Sequence, residues 1–141
     1  MITVPKRVQD RISQKLKPLQ GIVQSCKDKD VSESDTVTLV MDVLCDLLGY
    51  DKYSDLTKEH QIKSTYCDIA IQGKSGICSL IECKAIGKDL KENHTQQALN
   101  YAANKGCEWV FLTNGAVWKV YRVVFGQPIQ QELVIDFDLL S

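Results

Sequence analysis

The chain has 141 residues, is 44% hydrophobic and carries 25% charged residues, so it is bounded to one ordinary domain with a real core. Its net charge of −1 excludes a broadly basic nucleic-acid binder, and any contact with DNA has to run through a local patch, a metal ion or a larger partner. No apolar run approaches the roughly 20 residues that span a bilayer, and the start MITVPKRVQDRISQ has no apolar signal stretch, so no membrane and a cytoplasmic localisation are expected.

In chain order, residues 5–26 read as a helix, with Val8, Ile12, Leu16, Leu19 and Val23 recurring at spacings of three and four. Pro5 suits the first turn, and Pro18 and Gly21 predict a kink or break. After a polar KDKD loop, the Ser-x-x-Asp start at 32–35 opens a second helix. Val37, Val40, Met41, Leu44, Leu47 and Leu48 form its stripe, and Gly49 is placed to end it. A loop then runs into a short strand near 58–62. Two apolar stretches flanking QGKSG predict a hairpin of strands 66–72 and 77–85. Residues 93–105 are a helix rich in alanine and glutamine. CEWVFLT is a strand covered on both faces, Asn114–Gly115 a hairpin turn, and AVWKVYRVVF the returning strand. QELVIDFDLL is either an edge strand or a surface segment. The order predicts one α/β domain over 1–141, with a mixed central β-sheet flanked by helices.

Six cysteines fit no zinc or iron–sulfur spacing, and they are expected to be reduced thiols used as small hydrophobes. His60 and His94 have no partner at ligand spacing and read as surface residues. Trp109, Phe111, Trp118 and Tyr121 alternate along strands and read as core rather than as base-stacking platforms. Glu59 reads as a solvated edge residue. For Lys88 and Lys91, a phosphate-binding patch with Lys84 and a solvated loop are equal alternatives.

The stretch SLIECKAIGKDL is unusual for a strand. Ile81 and Cys83 share one face, while Glu82 and Lys84 share the other, about 7 Å apart along the strand. Pairing the two hairpin strands places Asp68 and Glu82 on one face, near one end. Two adjacent carboxylates repel and require a proton or a cation between them. A hard divalent ion such as Mg²⁺ satisfies that need and leaves positions for water. The lysine can then orient an attacking water or offset charge that develops on a phosphate. A solvated same-face ion pair is the plain alternative for Glu82 and Lys84.

Asp68, Glu82-Cys83-Lys84 and a helix bearing Gln97 and Tyr101 resemble the PD-(D/E)XK nuclease superfamily. The closer similarity is to the N-terminal nuclease domain of type I restriction enzyme R subunits and to related predicted type IV restriction endonucleases. SESDTVTLVMDVLCDLLGYD is similar to that family's opening helix, YCDIAI to its Asp strand, QQALNYA to its Gln-x-x-x-Tyr helix, and WVFLTNGAVWKVYRV to its Leu-Thr-Asn-Gly hairpin. The resemblance implies a restriction-endonuclease-like fold with an N-terminal helical segment (1–30), a nuclease core (32–124) and a C-terminal extension (125–141). It implies Mg²⁺, with Mn²⁺ as a substitute, held by Asp68, Glu82 and the Cys83 backbone carbonyl. Glu33 is a candidate to complete the acidic cluster, although an acid in a first helical turn is also favoured by the dipole alone. Lys84 is the implied catalytic lysine, and Gln97 sits beside the site with Tyr101 one turn later.

Two features depart from the family. Cys67 replaces the proline of the superfamily name, and the sequence holds no ATP-driven motor. The expectation is therefore a Mg²⁺-dependent restriction-type DNA endonuclease leaving a 5′-phosphate and a 3′-hydroxyl. It would act as a homodimer or with a larger restriction-complex partner. The rival is a non-catalytic nucleic-acid-binding or assembly module that keeps the fold, and a third reading is an enzyme on RNA or branched DNA.

Overall fold

In a computed structural model, residues 3–62, 65–74 and 76–141 are described, with the side chains of 60–62 and 65–66 outside the description. The side chain of His60 therefore lies outside the described residues. Six strands form one mixed sheet whose spatial order is the order in sequence. They are β1 (Leu56–Ile62), β2 (Thr65–Gly73), β3 (Gly76–Cys83), β4 (Trp109–Thr113), β5 (Val117–Val124) and β6 (Gln130–Asp138). Every neighbouring pair is antiparallel except β3 and β4, which are parallel and joined by a crossover helix, α3 (Gln96–Lys105). This is the expected α/β fold with a mixed central sheet.

Helices cover both faces. On one, α1 (Lys6–Asp28) and α2 (Glu33–Asp42) bury Leu19, Val23, Leu39 and Val40 against Ile69, Ile71, Ile81 and Trp118. On the other, Ala98, Leu99 and Ala102 of α3 pack on Ala70, Leu80, Val110 and Val123. Alternate residues of the central strands thus feed two cores, as a doubly covered sheet requires.

Several boundaries differ from the sequence expectation. Helix α1 runs unbroken through Pro18 and Gly21. Pro18 is on the exposed side, so the carbonyl it leaves without a helical partner faces water, and the cost of the missing bond is reduced. Helix α2 starts as expected, with the Ser32 hydroxyl accepting from the Asp35 N–H at 3.1 Å. Its last turn, Val43–Leu47, widens into a π-helical turn before Gly49 reverses the chain at φ +83°. The Arg11 Nε–H donates to the carbonyl of Leu47 at 2.9 Å, which ties α1 to that terminus. Strand β1 begins at Leu56, earlier than expected, and β3 ends at Cys83. Residues 92–95 form a 3₁₀ turn leading into α3 rather than its first α-helical turn. The last segment is a true edge strand, β6, paired with β5 along its length.

All six cysteines are free thiols, three of them buried and Cys78 exposed. Trp118 and Tyr121 are core residues, and Trp118 stacks on Phe137 at 6.1 Å. Trp109 and Phe111 are only partly covered. They line an apolar trough of about 380 Å³ along the α1/α2 face of β4–β6. Among the described residues, no helix is long and apolar enough to cross a membrane.

Candidate active site

Strands β2 and β3 are paired from Gly73↔Gly76 up to Ile69↔Ile81. One step further, the register sets Asp68 opposite Glu82, and there the backbone ladder gives way to side chains. The N–H of Cys83 donates to Asp68 Oδ2 at 2.8 Å, where the next ladder bond would otherwise form. The Cys67 thiol fills the gap beside it, donating toward the carbonyls of Ile69 and Ile81 at 3.2 Å each. Cys67 is thus a small buried side chain closing the splayed end of the hairpin. Burial, followed by the Glu82 charge, pushes its thiol up to about 12, so it stays protonated.

The alternation expected for β3 holds. Ile81 and Cys83 have no exposed surface, while Glu82 and Lys84 are half-buried. By parity with Leu80, Glu82 belongs to the α3 face. Asp68 departs from the expected simple pleat: Cys67 packs in the α3-side core, and Asp68 opens into a cleft shared with Glu33, Ser34 and Val37 of α2. In an extended strand the N–H and C=O of one residue point to the same neighbour. The Cys83 carbonyl is therefore turned toward Asp68, and the Lys84 N–H is turned toward β4, where it donates to the Thr113 carbonyl at 2.9 Å. Lys84 lies past the end of β3 yet remains fixed to the sheet.

The electrostatics follow from this crowding. Burial and then the neighbouring Asp68 charge push the Glu82 carboxyl from 4.5 up to about 7, against the opposing pull of Lys84. Burial also raises the Asp68 carboxyl, and the hydrogen bond from Cys83 works against it. The Glu33 charge adds to both shifts. Asp68, Glu82 and Lys84 are thus brought together as expected. Glu33 is exposed in the first turn of α2 and shares a cleft of about 210 Å³ with Asp68, Lys58 and Glu59. It does not complete a close cluster: among the described residues, no three His, Cys, Asp or Glu side chains are grouped to hold a metal. Glu59 is exposed on the edge strand, as expected, but at φ +52° it interrupts the β1–β2 register opposite Asp68 and turns into that cleft.

Gln97 is exposed in the first turn of α3, and Tyr101, one turn on, is half-buried against the core beneath that helix. His94, in the 3₁₀ turn before α3, lies within electrostatic reach of Lys84.

Sequence reasoning missed two buried anchors of the chain leaving the site. Thr36 Oγ1 accepts from the Ile86 N–H at 3.1 Å, and the Asn114 amide donates to the Lys88 carbonyl at 3.0 Å. Asn114 also accepts from the N–H groups of Ala116 and Val117 at 3.1 and 2.8 Å. The Thr-Asn-Gly turn is therefore a buried junction as well as a hairpin turn. The Asn-Gly signal locates the turn but carries no information about a partner 26 residues away.

The fold and the site together define an α/β domain with a carboxylate pair and a lysine at one end of a mixed sheet. Residues 32–134 match the type I restriction enzyme R protein N terminus, and the chain belongs to that family. No curated protein and no solved structure matches the chain.

Proposed function

We propose that this domain is a metal-dependent endonuclease of the PD-(D/E)XK type that hydrolyses DNA phosphodiester bonds in a restriction system. The observation that carries the proposal is the pairing of Asp68 and Glu82 at the end of the hairpin, half-buried and mutually repelling, with Lys84 beside them. The family match supports the restriction context.

The donor set suits a hard divalent ion. Two carboxylates and the Cys83 carbonyl are oxygen ligands, and the raised Glu82 carboxyl reflects a negative charge that a cation would offset. Asp68, Glu82 and the Cys83 carbonyl would hold Mg²⁺, with Mn²⁺ as a substitute and Glu33 at the margin. A bound divalent ion supplies Lewis acidity at the scissile phosphate. The chain supplies the rest. The hydrogen bond from Cys83 fixes the Asp68 carboxylate without a rotamer search. The Lys84 ammonium, positioned by its own backbone bond to β4, orients the attacking water and meets the charge that develops on the phosphate oxygens. By the family resemblance, Gln97 on α3 would sit beside the site.

Nicking of supercoiled plasmid in Mg²⁺ or Mn²⁺ tests the reading. Glu82→Ala and Lys84→Ala are each expected to slow nicking by about 10²-fold or more. Undiminished nicking by both variants would sink the site assignment. A wild type that neither nicks nor binds metal in calorimetry would favour the non-catalytic module.

A further inference from the structure

Beyond the carboxylate pair, the least expected organisation lies in the chain that leaves it. Residues 84–94 carry Lys84, Lys88, Lys91 and His94, and Lys88 and Lys91 are exposed. Such a loop is ordinarily a mobile solvated segment. Here it is fastened by three partners from outside the segment and by one bond within it. The Lys84 N–H bonds to Thr113 of β4, the Ile86 N–H to Thr36 of α2, and the Lys88 carbonyl to Asn114 of the β4–β5 turn. The Lys91 N–H donates to His94 Nδ1 at 3.1 Å. Thr36 is fully buried and Asn114 nearly so, so the middle anchors come from the interior.

The charges of Lys88 and Lys91 are not held in an ion pair among the described residues. Among the described residues the salt bridges are Lys6–Asp10 and Arg122–Glu108, and neither involves Lys84, Lys88 or Lys91. Asp89 and Glu92 share the stretch, and Asp30 approaches Gly87. Even so, the field at His94 is cationic. After burial, the influences that hold its imidazole below the usual range are Lys84, Lys88 and Lys91. The imidazole is therefore neutral near pH 7. With Nδ1 accepting from Lys91, its proton sits on Nε2, as an outward hydrogen-bond donor.

We propose that residues 84–94 form a preorganised phosphodiester-binding strip beside the carboxylate pair, in which Lys88 and Lys91 engage the DNA phosphates flanking the scissile one and His94 donates to a phosphate oxygen from Nε2. The proposal rests on DNA being the substrate, and it gives a nearly neutral chain the local patch it needs to hold a polyanion. Loop fixation matters because an ordered cation array loses little entropy on binding. The bonds at Thr36 and Asn114 are positioning contacts and do not themselves touch the backbone of the DNA.

Salt dependence of binding, measured in EDTA, separates this strip from the cleavage reading. A fluorescein-labelled duplex is titrated with the full chain across a range of NaCl, and anisotropy gives Kd. Replacing a lysine that neutralises one phosphate lowers the slope of log Kd against log salt by about 0.9. Lys88→Gln and Lys91→Gln are each expected to do so, and the double variant to do so additively. His94→Ala is expected to weaken binding several-fold at every salt concentration with the slope unchanged, and His94→Gln, which keeps a donor, to restore most of it. Unchanged melting temperatures show that the variants fold. A double variant with the wild-type slope, or a wild type that fails to bind duplex at about 50 mM salt, overturns the strip. Reduced slopes in a protein that never nicks uphold the strip and sink the nuclease. Nicking with unchanged slopes sinks the strip alone.

Discussion

Strands β3 and β4 run parallel as neighbours, with Glu82 in register with Leu112 and Cys83 with Thr113. Leu112 has no exposed surface and packs as a core residue should. Glu82, at the same level and on the same face, is a half-buried carboxylate whose charge is opposed by burial and by Asp68. The sheet plainly accommodates a leucine at this level. A fold selected for stability alone would place one on both strands, because an unpaired charge at such depth is costly. The contrast separates what the sheet needs from what the site needs, and Lys84, fixed by a bond to Thr113 of β4 itself, shows the ordinary strand supporting the unusual one.

The comparison can be broken most forcefully by making β3 resemble β4. Glu82→Leu is expected to lower plasmid nicking by about 10³-fold while raising the stability of the metal-free protein at alkaline pH. Loss of stability in that variant would contradict the view that Glu82 opposes folding. The converse change, Leu112→Ala, leaves a cavity in the α3-side core and is expected to cost about 3 kcal/mol in urea unfolding. A cost below about 1 kcal/mol would show that β4 is not a rigid support for β3.

A smaller effect is the pH dependence of metal-free stability. Glu82 titrates at about 7 in the folded chain against 4.5 ordinarily, and Asp68 is raised too. Between those values the folded protein retains a proton that the unfolded chain has released. The contribution is fully present below 4.5 and is lost as pH rises through about 7. Unfolding free energies from urea titrations in EDTA at about pH 5 and about pH 8 are expected to differ by on the order of 2 kcal/mol, with solvent screening of the half-buried group allowed for. Glu82→Gln should flatten the difference, and a profile rising with pH would contradict the assignment. The smallest effect is expected at Gln97, where replacement by Ala should slow nicking about tenfold, a barrier of roughly 1.4 kcal/mol, with urea stability unchanged.

Much of this contrast is legible in the sequence. The pleat alone puts Glu82 and Lys84 on one face, and the glycine-flanked hairpin brings Asp68 to them. Ser32, Gly49 and the Asn114–Gly115 turn act where their chemistry says they should. The rest depends on contacts distant in sequence. Pro18 is tolerated because its side of α1 faces water, which no local pattern reveals. The π-helical turn at Val43–Leu47 leaves no trace in the apolar spacing. Thr36 and Asn114 read as ordinary polar residues until the fold sets them against residues 86 and 88. His94 reads as a lone surface histidine because its partner is a backbone N–H.

The order of the sheet has a consequence for how the molecule is made. Each strand pairs with its neighbours in sequence, so assembly can proceed along the chain with few distant closures. The two carboxylates meet once the β2–β3 hairpin closes, when synthesis has passed little beyond residue 84. Lys84 gains its anchor only after β4 has been added across the crossover. A growing chain therefore assembles its electrostatic conflict first and the cationic side of the site last. An emerging protein that has not reached residue 113 holds paired acids without the anchored lysine.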